Sequence, residues 1–312
     1  MDVFSLGEMV IDFLPGDGDG VYIRNAGGAP ANMAIAAARN ELDVGFCGKV
    51  GDDDFGLFLQ QTLRENKVRI LCPERSKEAI TTMAFVTLQP DGERSFTFCR
   101  KPGADMLLTK AEVKKEDVQN TAVLHAGSCS LSKGPEVEAT EYALALADEM
   151  GKLVSFDVNY RNLMWDDDIE AARAAVLKIL PHVDLLKISQ EEAPMLGGEE
   201  NLPSVMAQYG ISVLVMTLGS KGARCYFDGS SFTAGVPDVK RVDTTGAGDA
   251  FWGTFIATLL RGGVRKTGEL TESALRKAVD YGNVAGTLCV QKKGALNSLP
   301  TLAEIEAFLS GS

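Results

Sequence analysis

Histidine, paired cysteine and long apolar runs are all scarce in this 312-residue sequence. The two histidines, His125 and His182, have no neighbours at metal-ligand spacing, which argues against zinc chemistry and against histidine-based nucleophilic catalysis. We expect His125 to be a packed strand residue. The six cysteines are scattered without paired spacing, and the sequence contains no signal-like or membrane-length apolar segment. These absences predict a reduced, cytoplasmic protein.

Positive charge is also in short supply. The sequence has 31 Lys and Arg against 43 Asp and Glu, a formal net charge of -12, which argues against nucleic acid and anionic membrane surfaces as partners. A nucleotide site would therefore have to be locally positive. Hydrophobic residues are abundant at 45%, enough to bury one large core, and no linker rich in Pro, Gly or Ser divides the chain. We expect a single domain with a small appendage.

Strands and helices alternate along most of the chain. Strands are predicted over 153–158, 184–189 and 213–218, and helices over 136–150, over 168–180 and near 247 and 274. This repetition predicts an α/β fold with a doubly wound, mostly parallel sheet covered by helices. The apolar run 3–13 is predicted to be the first strand, carrying Asp12 to the sheet edge where ligands bind in such folds.

Residues 81–98 interrupt this alternation with a period of two. Turn residues Pro90 to Gly92 separate two alternating runs, which is typical of a β-hairpin. With the stretch around 21–24, the hairpin is predicted to stand off the main sheet as a lid built from segments 14–26 and 81–100. Phe96 and Phe98 alternate onto one face, which points either toward a ligand or toward the lid of a second copy in a homodimer.

The run 242–251 carries the strongest chemical signal. Two threonines precede Gly246, Ala247, Gly248 and Asp249, after which apolar residues recur at helical spacing. The first N–H groups of a helix lack partners and attract anions, and glycine lets a phosphate approach them closely. A carboxylate there would repel phosphate, so Asp249 is predicted to deprotonate a hydroxyl that accepts a phosphoryl group.

The helix N-terminus is expected to keep Asp249 ionised at neutral pH. The simpler alternative is that these residues only cap a helix and permit a turn, an interpretation that suffices for either threonine alone. Other strand ends and turns also carry polar groups or glycines, at Gly27, Gly28 and Asn32, at Asn159 and Arg161, at Ser189 and Glu192, and at Thr217, Gly219 and Gly222. Each has an equally ordinary structural interpretation as a tight connection.

Taken in order from Gly7 to Pro300, these motifs resemble the ribokinase-like (PfkB) family of carbohydrate kinases. The segments Gly-Glu-Met-Val-Ile-Asp-Phe, Gly-Gly-Ala-Pro-Ala-Asn and Asn159-Tyr160-Arg161 are most similar to fructokinases. The resemblance implies transfer of a phosphoryl group from ATP to D-fructose, giving fructose 6-phosphate and ADP. It also implies that Asp249 is the base and that the backbone of Gly246, Ala247 and Gly248 forms the anion hole.

The resemblance implies roles for further residues. Sugar-binding positions are Asp12, Gly27, Gly28, Asn32, Phe98, Arg100, Asn159 and Arg161. Nucleotide-binding positions are Lys187, Ser189, Glu192, Thr217, Gly219, Gly222, Asn283 and Gly294. Mg²⁺ would be held through water by Glu192, and K⁺ by carbonyl groups of Asp243, Thr245 and Gly294 with the hydroxyl of Ser298. Ser189 stands where the family usually has asparagine.

Some choices stay open at this point. Arg100 and Arg161 could provide positive charge near the transferred phosphate or lock the lid. The acceptor could be another sugar, such as ribose or 2-keto-3-deoxygluconate, and a non-catalytic sugar or nucleotide sensor is a different class of function. The presence of Asp249 together with the glycines Gly246 and Gly248 favours a kinase, because a sensor needs no base. Ala29 and Pro30 stand where ribokinases have lysine and glycine, and this difference favours fructose as the substrate.

Overall fold

A computed structural model describes residues 1–18, 20–88 and 94–311, so the predicted turn at Pro90 to Gly92 lies outside the described residues. The strands are β1 Val3–Leu6, β2 Val10–Pro15, β3 Tyr22–Gly27, β4 Val44–Cys47, β5 Arg69–Ile70, β6 Met83–Leu88, β7 Arg94–Cys99, β8 Val123–Gly127, β9 Leu153–Asp157, β10 Leu185–Ser189, β11 Val213–Thr217, β12 Ala223–Phe227 and β13 Ser230–Ala234. The helices are α1 Ala29–Arg39, α2 Asp54–Glu65, α3 Lys115–Gln119, α4 Glu136–Glu149, α5 Ile169–Ile179, α6 Leu202–Tyr209, α7 Ala247–Arg261, α8 Glu272–Cys289, α9 Ala295–Ser298 and α10 Leu302–Gly311.

The larger sheet has the order β13-β12-β11-β10-β9-β8-β1-β4-β5. Its strands run parallel except at one edge, where β12 and β13 are antiparallel. Alternate residues of β11 pack into apolar clusters on opposite faces, one containing α7 and α8 and the other containing α4, α5 and α6. The predicted doubly wound α/β sheet is therefore confirmed, and the strands predicted at 153–158, 184–189 and 213–218 match β9, β10 and β11 within one residue.

The single first strand predicted over 3–13 is wrong, because the chain leaves the large sheet after Leu6. Gly7 has a φ of 143°, in the region that favours glycine, and a Cβ there would lie 2.7 Å from Cγ of Pro30. After this break the chain continues as β2 in a second sheet. Asp12 consequently belongs to the small sheet and not to the edge of the large one.

The small sheet has the order β3-β2-β6-β7. On one face the ring of Phe13 stacks on Phe85 with centroids 4.7 Å apart and meets Phe55 of α2 edge-on at 5.7 Å. Asp12, Ala84 and Phe98 are register partners on the opposite face. Since the aromatic face is fixed against α2, the face with Asp12 is turned toward the ends of the large sheet's strands.

A buried contact fixes α7 on the large sheet. Nε1 of Trp252 donates to Oγ of Ser155 at 2.9 Å, and the same oxygen lies 2.9 Å from Nδ1 of His125. Burial lowers the pKa of His125 to about 4, so the ring is neutral. The prediction that His125 is a packed strand residue is confirmed. Within the described ranges, none of the helices combines the length and apolar character that a membrane crossing requires.

Candidate active site

Asp249, the third residue of α7, is 7% exposed and is held by two amide side chains. Nδ2 of Asn32, from α1, donates to its Oδ2 at 2.8 Å. Nδ2 of Asn159, which follows β9 in a left-handed conformation with φ 36°, lies 3.5 Å from its Oδ1. Two residues predicted to bind sugar therefore orient the predicted base, and their amides fix the direction of its carboxylate.

The pKa of Asp249 is raised, mainly because burial disfavours the charged form. The hydrogen bond from Asn32 and the charges of Lys187 and Arg161 act in the opposite direction, while Asp157 reinforces the rise. Burial therefore acts against the effect expected of the helix N-terminus, and ionisation of Asp249 at neutral pH stays a prediction. A raised pKa brings the carboxylate closer to the working range of a general base.

The start of α7 leaves backbone N–H groups open. Gly246 has a φ of 81°, and a Cβ there would lie 2.9 Å from Cβ of Ala295. The first bond of the helical ladder runs from N–H of Ala250 to Gly246 at 2.8 Å, which leaves N–H of Gly248 and Asp249 ahead of it. N–H of Ala247 is partly engaged with the carbonyl of Thr244 at 3.3 Å. The predicted anion hole therefore has an open backbone at Gly248.

Lys187 of β10 provides local positive charge, which we expected at a nucleotide site because the protein as a whole is acidic. A Cβ on Gly248 would lie 3.3 Å from Nζ of Lys187, so the ammonium lies beside the helix start. Lys187 is 4% exposed and donates to Oδ2 of Asp157 at 2.7 Å. Burial lowers its pKa, but Asp157 and Glu192 outweigh burial and the pKa is raised. The ammonium is therefore charged at neutral pH.

Asp12 faces this region from the small sheet. A Cβ on Gly27 would overlap Oδ2 of Asp12, so any larger residue there would displace the carboxylate. Burial raises the pKa of Asp12 to about 6, with Arg161 lowering it and Asp249 raising it. Gly28 has a φ of 106°, and a Cβ there would lie 2.9 Å from Cα of Met9. Asp12 on the small sheet and Asp249 at the start of α7 thus face one cleft.

Arg161 is exposed beside this cleft, and its Nη1 donates to the carbonyl of Tyr160 at 3.1 Å. Partial desolvation lowers its pKa, but the net shift is upward because Cys129, Asp249 and Glu192 favour the cation. Phe98, in register with Asp12, is partly buried against the apolar cluster of the larger sheet. Both predicted sugar residues therefore lie near Asp12.

Arg100 does not join them. Its Nε donates to Oδ2 of Asp105 at 2.7 Å, and its Nη2 lies 3.7 Å from Oε2 of Glu136. The guanidinium is buried at the point where β7 returns to the larger sheet, with Glu8 close enough to affect the same charges. We call Glu8, Arg100, Asp105 and Glu136 the base cluster, because they lie at the base of the small sheet where it joins the large one. Its position favours the lid-locking role over phosphate contact for Arg100.

A cavity of about 280 Å³ opens beside Gly248. Predicted nucleotide residues Thr217, Gly219, Gly222 and Asn283 line it together with Ala247. Nδ2 of Asn283 donates to the carbonyl groups of residues 234 and 235 at 3.0 and 3.3 Å, which fixes the end of β13 beside the cavity. A larger groove of about 560 Å³ beside α6 and β12 contains none of the predicted site residues.

The sequence analysis missed other residues that line the 280 Å³ cavity: Val236, Pro237, Asp238, Val239, Arg241, Phe251, Gly286, Thr287 and Val290. The segment 236–241 follows β13 without a regular period or glycine motif, so nothing marked it. Arg241 was the available signal, because a cation near a nucleotide site was expected on charge grounds. The helix period of α8 could have placed Gly286, Thr287 and Val290 beside Asn283.

Glu192 ties two strand ends together. Its Oε1 accepts N–H of Tyr160 at 2.6 Å, and its Oε2 accepts N–H of Ser189 at 2.7 Å. Ser189 stands directly before the short 3₁₀ helix Gln190–Leu196 and meets Glu192 through its backbone N–H, so this contact does not depend on which side chain replaces the expected asparagine. With both oxygens already accepting backbone N–H groups, the carboxylate fits contact with Mg²⁺ through water better than direct coordination.

The four residues predicted around a monovalent cation lie together. Oδ1 of Asp243 accepts N–H of Thr245 at 3.0 Å, and its Oδ2 accepts N–H of Gly294 at 3.1 Å. Oγ of Ser298 donates to the carbonyl of Ala295 at 2.7 Å. No group of three or more His, Cys, Asp and Glu side chains in the described part of the chain could hold a metal. A cation at this loop would therefore rely on carbonyl and hydroxyl oxygens.

Known proteins are similar to this chain in sequence and in fold. The sequence profile described as pfkB family carbohydrate kinase matches residues 2–302. Fructokinase-1 of Oryza sativa subsp. japonica is 41% identical over 317 residues, covering 97% of this chain and 96% of the relative.

Two solved structures are similar over nearly the whole chain. A fructokinase double mutant from Vibrio cholerae O395, with fructose, ADP and a potassium ion bound, has a TM-score of 0.89 at 35% identity and covers 99% of this chain and 98% of its own. The fructokinase of Xylella fastidiosa with bound ATP has a TM-score of 0.92 at 29% identity, with the same coverage. The chain therefore belongs to the pfkB family of carbohydrate kinases.

Proposed function

We propose that this protein is an ATP-dependent fructokinase that converts D-fructose and ATP to fructose 6-phosphate and ADP. The observation that carries the proposal is the buried carboxylate of Asp249, fixed by Asn32 beside an open helix N-terminus and the ammonium of Lys187. The kinship with fructokinases supports the choice of sugar. A sensor would have no use for an oriented base at an anion site, which favours the enzyme.

The chemistry follows from these groups. Asp249 accepts the proton of the C6 hydroxyl as that oxygen forms a bond to the γ-phosphorus, and the bond from phosphorus to the ADP oxygen breaks. N–H of Gly248 and the ammonium of Lys187 stabilise the negative charge of the group in transfer. Asn32 keeps the carboxylate aimed at the hydroxyl. Arg161 contributes positive charge from the open side of the cleft.

The nucleotide would occupy the 280 Å³ cavity, with its phosphates toward Gly248. Glu192 would hold Mg²⁺ through water, and that ion would supply charge to offset the phosphate oxygens. The carbonyl groups of Asp243, Thr245 and Gly294 with the hydroxyl of Ser298 would hold K⁺ next to the start of α7. Support for the second ion is the closeness of these four residues and the potassium in the Vibrio cholerae structure.

The sugar would lie between the two sheets. Asp12 can accept hydrogen bonds from two neighbouring hydroxyls, and the amide oxygen of Asn32, buried without a hydrogen-bond partner among the described residues, can accept another. A site of this kind rejects a sugar that leaves its polar groups unpaired. Asp12 and Asn32 therefore select stereochemistry more than size.

The test is a competition at limiting ATP between fructose, ribose and glucose, with the products separated by chromatography. We expect kcat/KM for fructose to exceed the values for ribose and glucose by about a hundredfold, roughly the effect of one or two hydrogen bonds to buried polar groups. Dominance of ribose 5-phosphate would overturn fructose as the substrate and leave the kinase standing. ADP release that does not depend on any sugar would overturn the kinase.

The small sheet would act as a lid, and its free edge would pair with a second copy of the chain. β3 is an edge strand whose residues Tyr22 and Ile23 are 43% and 55% exposed, and Val21 directly before it is 47% exposed, which is unusual for apolar side chains on an edge strand. Replacing Ile23 by lysine should shift the sedimentation coefficient from dimer to monomer. A wild-type chain that sediments as a monomer at all concentrations would refute this pairing.

A further inference from the structure

The small sheet joins the rest of the protein at four points, and buried polar contacts mark each of them. Glu8 precedes β2, Ala29 follows β3, Thr82 precedes β6 and Arg100 follows β7. Oε1 of Glu8 accepts N–H of Ala29 at 3.1 Å. Thr82 and Arg100 both donate to the carboxylate of Asp105. The two inserted segments are therefore each closed at their base by one carboxylate.

The base cluster concentrates acid around a single cation. Glu8, Asp105 and Glu136 are 4%, 1% and 0% exposed, and the side chain of Arg100 is 5% exposed. Three ionised carboxylates beside one buried guanidinium would leave uncompensated charge in a poorly solvated place. Charge balance therefore requires that protons remain on part of the cluster.

Burial, followed by the charge of Asp105, raises the pKa of Glu136 well above its ordinary value. Burial also raises the pKa of Glu8 to about 7, with Asp105 raising it and Arg100 lowering it. Glu8 therefore gains or loses its proton near neutral pH. Groups facing Glu8 from the other elements are Arg100, Asp105, Glu136, Asp157, the neutral thiol of Cys129 and the neutral ring of His125.

Glu8 also faces a small cavity of about 10 Å³, which is the size of one water molecule. Ser128, Asp157 and Asn159 line this cavity with it. Oε2 of Glu8, Oγ of Ser128, Oδ1 of Asp157 and Oδ1 of Asn159 are all buried, and none has a hydrogen-bond partner among the described residues. Four polar oxygens around a space of this size are the surroundings that a buried water requires.

We propose that Glu8 is a positioning residue that couples closure of the lid to the catalytic carboxylate, with one water in this cavity linking it to Asn159. One oxygen of Glu8 holds the turn at Ala29 that ends the first inserted segment. Its other oxygen is buried without a hydrogen-bond partner among the described residues, and Glu8 lines the same cavity as Asn159, whose amide lies beside Asp249. The inference rests on the proposed function, because the lid closes over the sugar that is to be phosphorylated.

Two variants of the full-length chain test this role. Glu8→Gln keeps an acceptor for N–H of Ala29 and removes the titration, whereas Glu8→Ala removes both. KM for fructose, KM for ATP and kcat are measured from pH 6 to pH 8.5. In the wild type we expect KM for fructose to rise as the pH falls through about 7, because the protonated carboxyl accepts a hydrogen bond less strongly.

In Glu8→Gln the part of this rise that is centred near pH 7 should disappear, which leaves only the change that protonation of Asp12 causes near pH 6. In Glu8→Ala, KM for fructose should increase about tenfold, the effect of one hydrogen bond to a charged group, while KM for ATP stays within about twofold. The control is Asp184→Asn, because Asp184 likewise accepts a backbone N–H, from Val154 at 2.8 Å, but precedes β10 at the other end of the strands. It should change neither KM.

A wild-type pH profile in Glu8→Gln would overturn the proposal, and so would equal increases of both KM values in Glu8→Ala. If Glu8→Ala does not fold, Glu8→Gln decides alone. A wild-type enzyme without activity on fructose would instead refute the proposed function. A high-resolution crystal structure that shows the cavity empty would overturn the water link.

Discussion

Around Asp249 and in the base cluster, several carboxylates lie buried beside one buried cation. In the first region Lys187 is paired with Asp157, and the hydrogen bonds to Asp249 from the described residues come from neutral amides. In the second region Arg100 bonds Asp105 directly and lies near Glu136. Within the described part of the chain, no cation is therefore bonded to the proposed base, whereas Asp105 of the base cluster is bonded to one.

This difference in bonding partners matches the different roles proposed for the two regions, catalysis at Asp249 and attachment of the lid at the base cluster. An ion pair would hold Asp249 strongly but lower its basicity, whereas amides orient it and leave burial free to raise its pKa. In the base cluster a strong pair is useful, because breaking it leaves a buried charge without compensation. The type of partner, more than the number of buried charges, indicates which acids take part in chemistry.

Removing the reactive acid should have the largest effect on activity. We expect Asp249→Asn to lower kcat by about a hundredfold or more, the usual scale for losing a positioned base, with ATP affinity largely kept. Single-turnover kinetics and calorimetric titration with ATP measure the two quantities. Asp184→Asn, which removes another partly buried acid, should retain wild-type kcat. Near-normal turnover in Asp249→Asn would contradict the assignment of the base.

The two arginines sharpen the comparison. Arg100→Met should destabilise the fold by about 3 kcal/mol, because Asp105 would remain buried without its partner. Arg161→Met should leave the free energy of unfolding within about 0.5 kcal/mol, since its side chain is exposed, and should lower kcat/KM for fructose. Denaturant unfolding and steady-state kinetics distinguish them. Equal losses of stability in both variants would contradict the assignment of Arg100 to a structural role and of Arg161 to the sugar cleft.

Glu8 should produce the smallest effect, visible as a pH dependence of stability. Its folded-state pKa of about 7 lies above the ordinary 4.5, so the folded state binds the proton more tightly than the unfolded state. Its contribution therefore favours folding at low pH and is lost as the pH rises through 7. Between pH 5 and pH 8, wild type should lose roughly 2 kcal/mol relative to Glu8→Gln. Parallel stability curves for the two proteins would disprove this titration.

The sequence allowed prediction of the parts that are encoded locally. The helix start at Gly246 to Asp249 and the parallel strands β9 to β11 follow from residue spacing alone, and the structure brings Asn32 and Asn159 to Asp249. The base cluster could not be found this way, because Glu8, Arg100 and Glu136 are far apart in sequence and each resembles an ordinary surface charge. Its members become neighbours only when the small sheet rejoins the large one.

The break after Leu6 has a consequence for ligand affinity. It places Asp12 on the small sheet, whereas Asp249 lies on α7, which packs against the large sheet, so a sugar that bonds to both crosslinks two pieces of the protein. The measured affinity for that sugar then contains the free energy of drawing the pieces together. Coupling of this kind is reciprocal. If sugar binding favours contact between the two pieces by a given factor, then holding the pieces together beforehand must tighten sugar binding by the same factor.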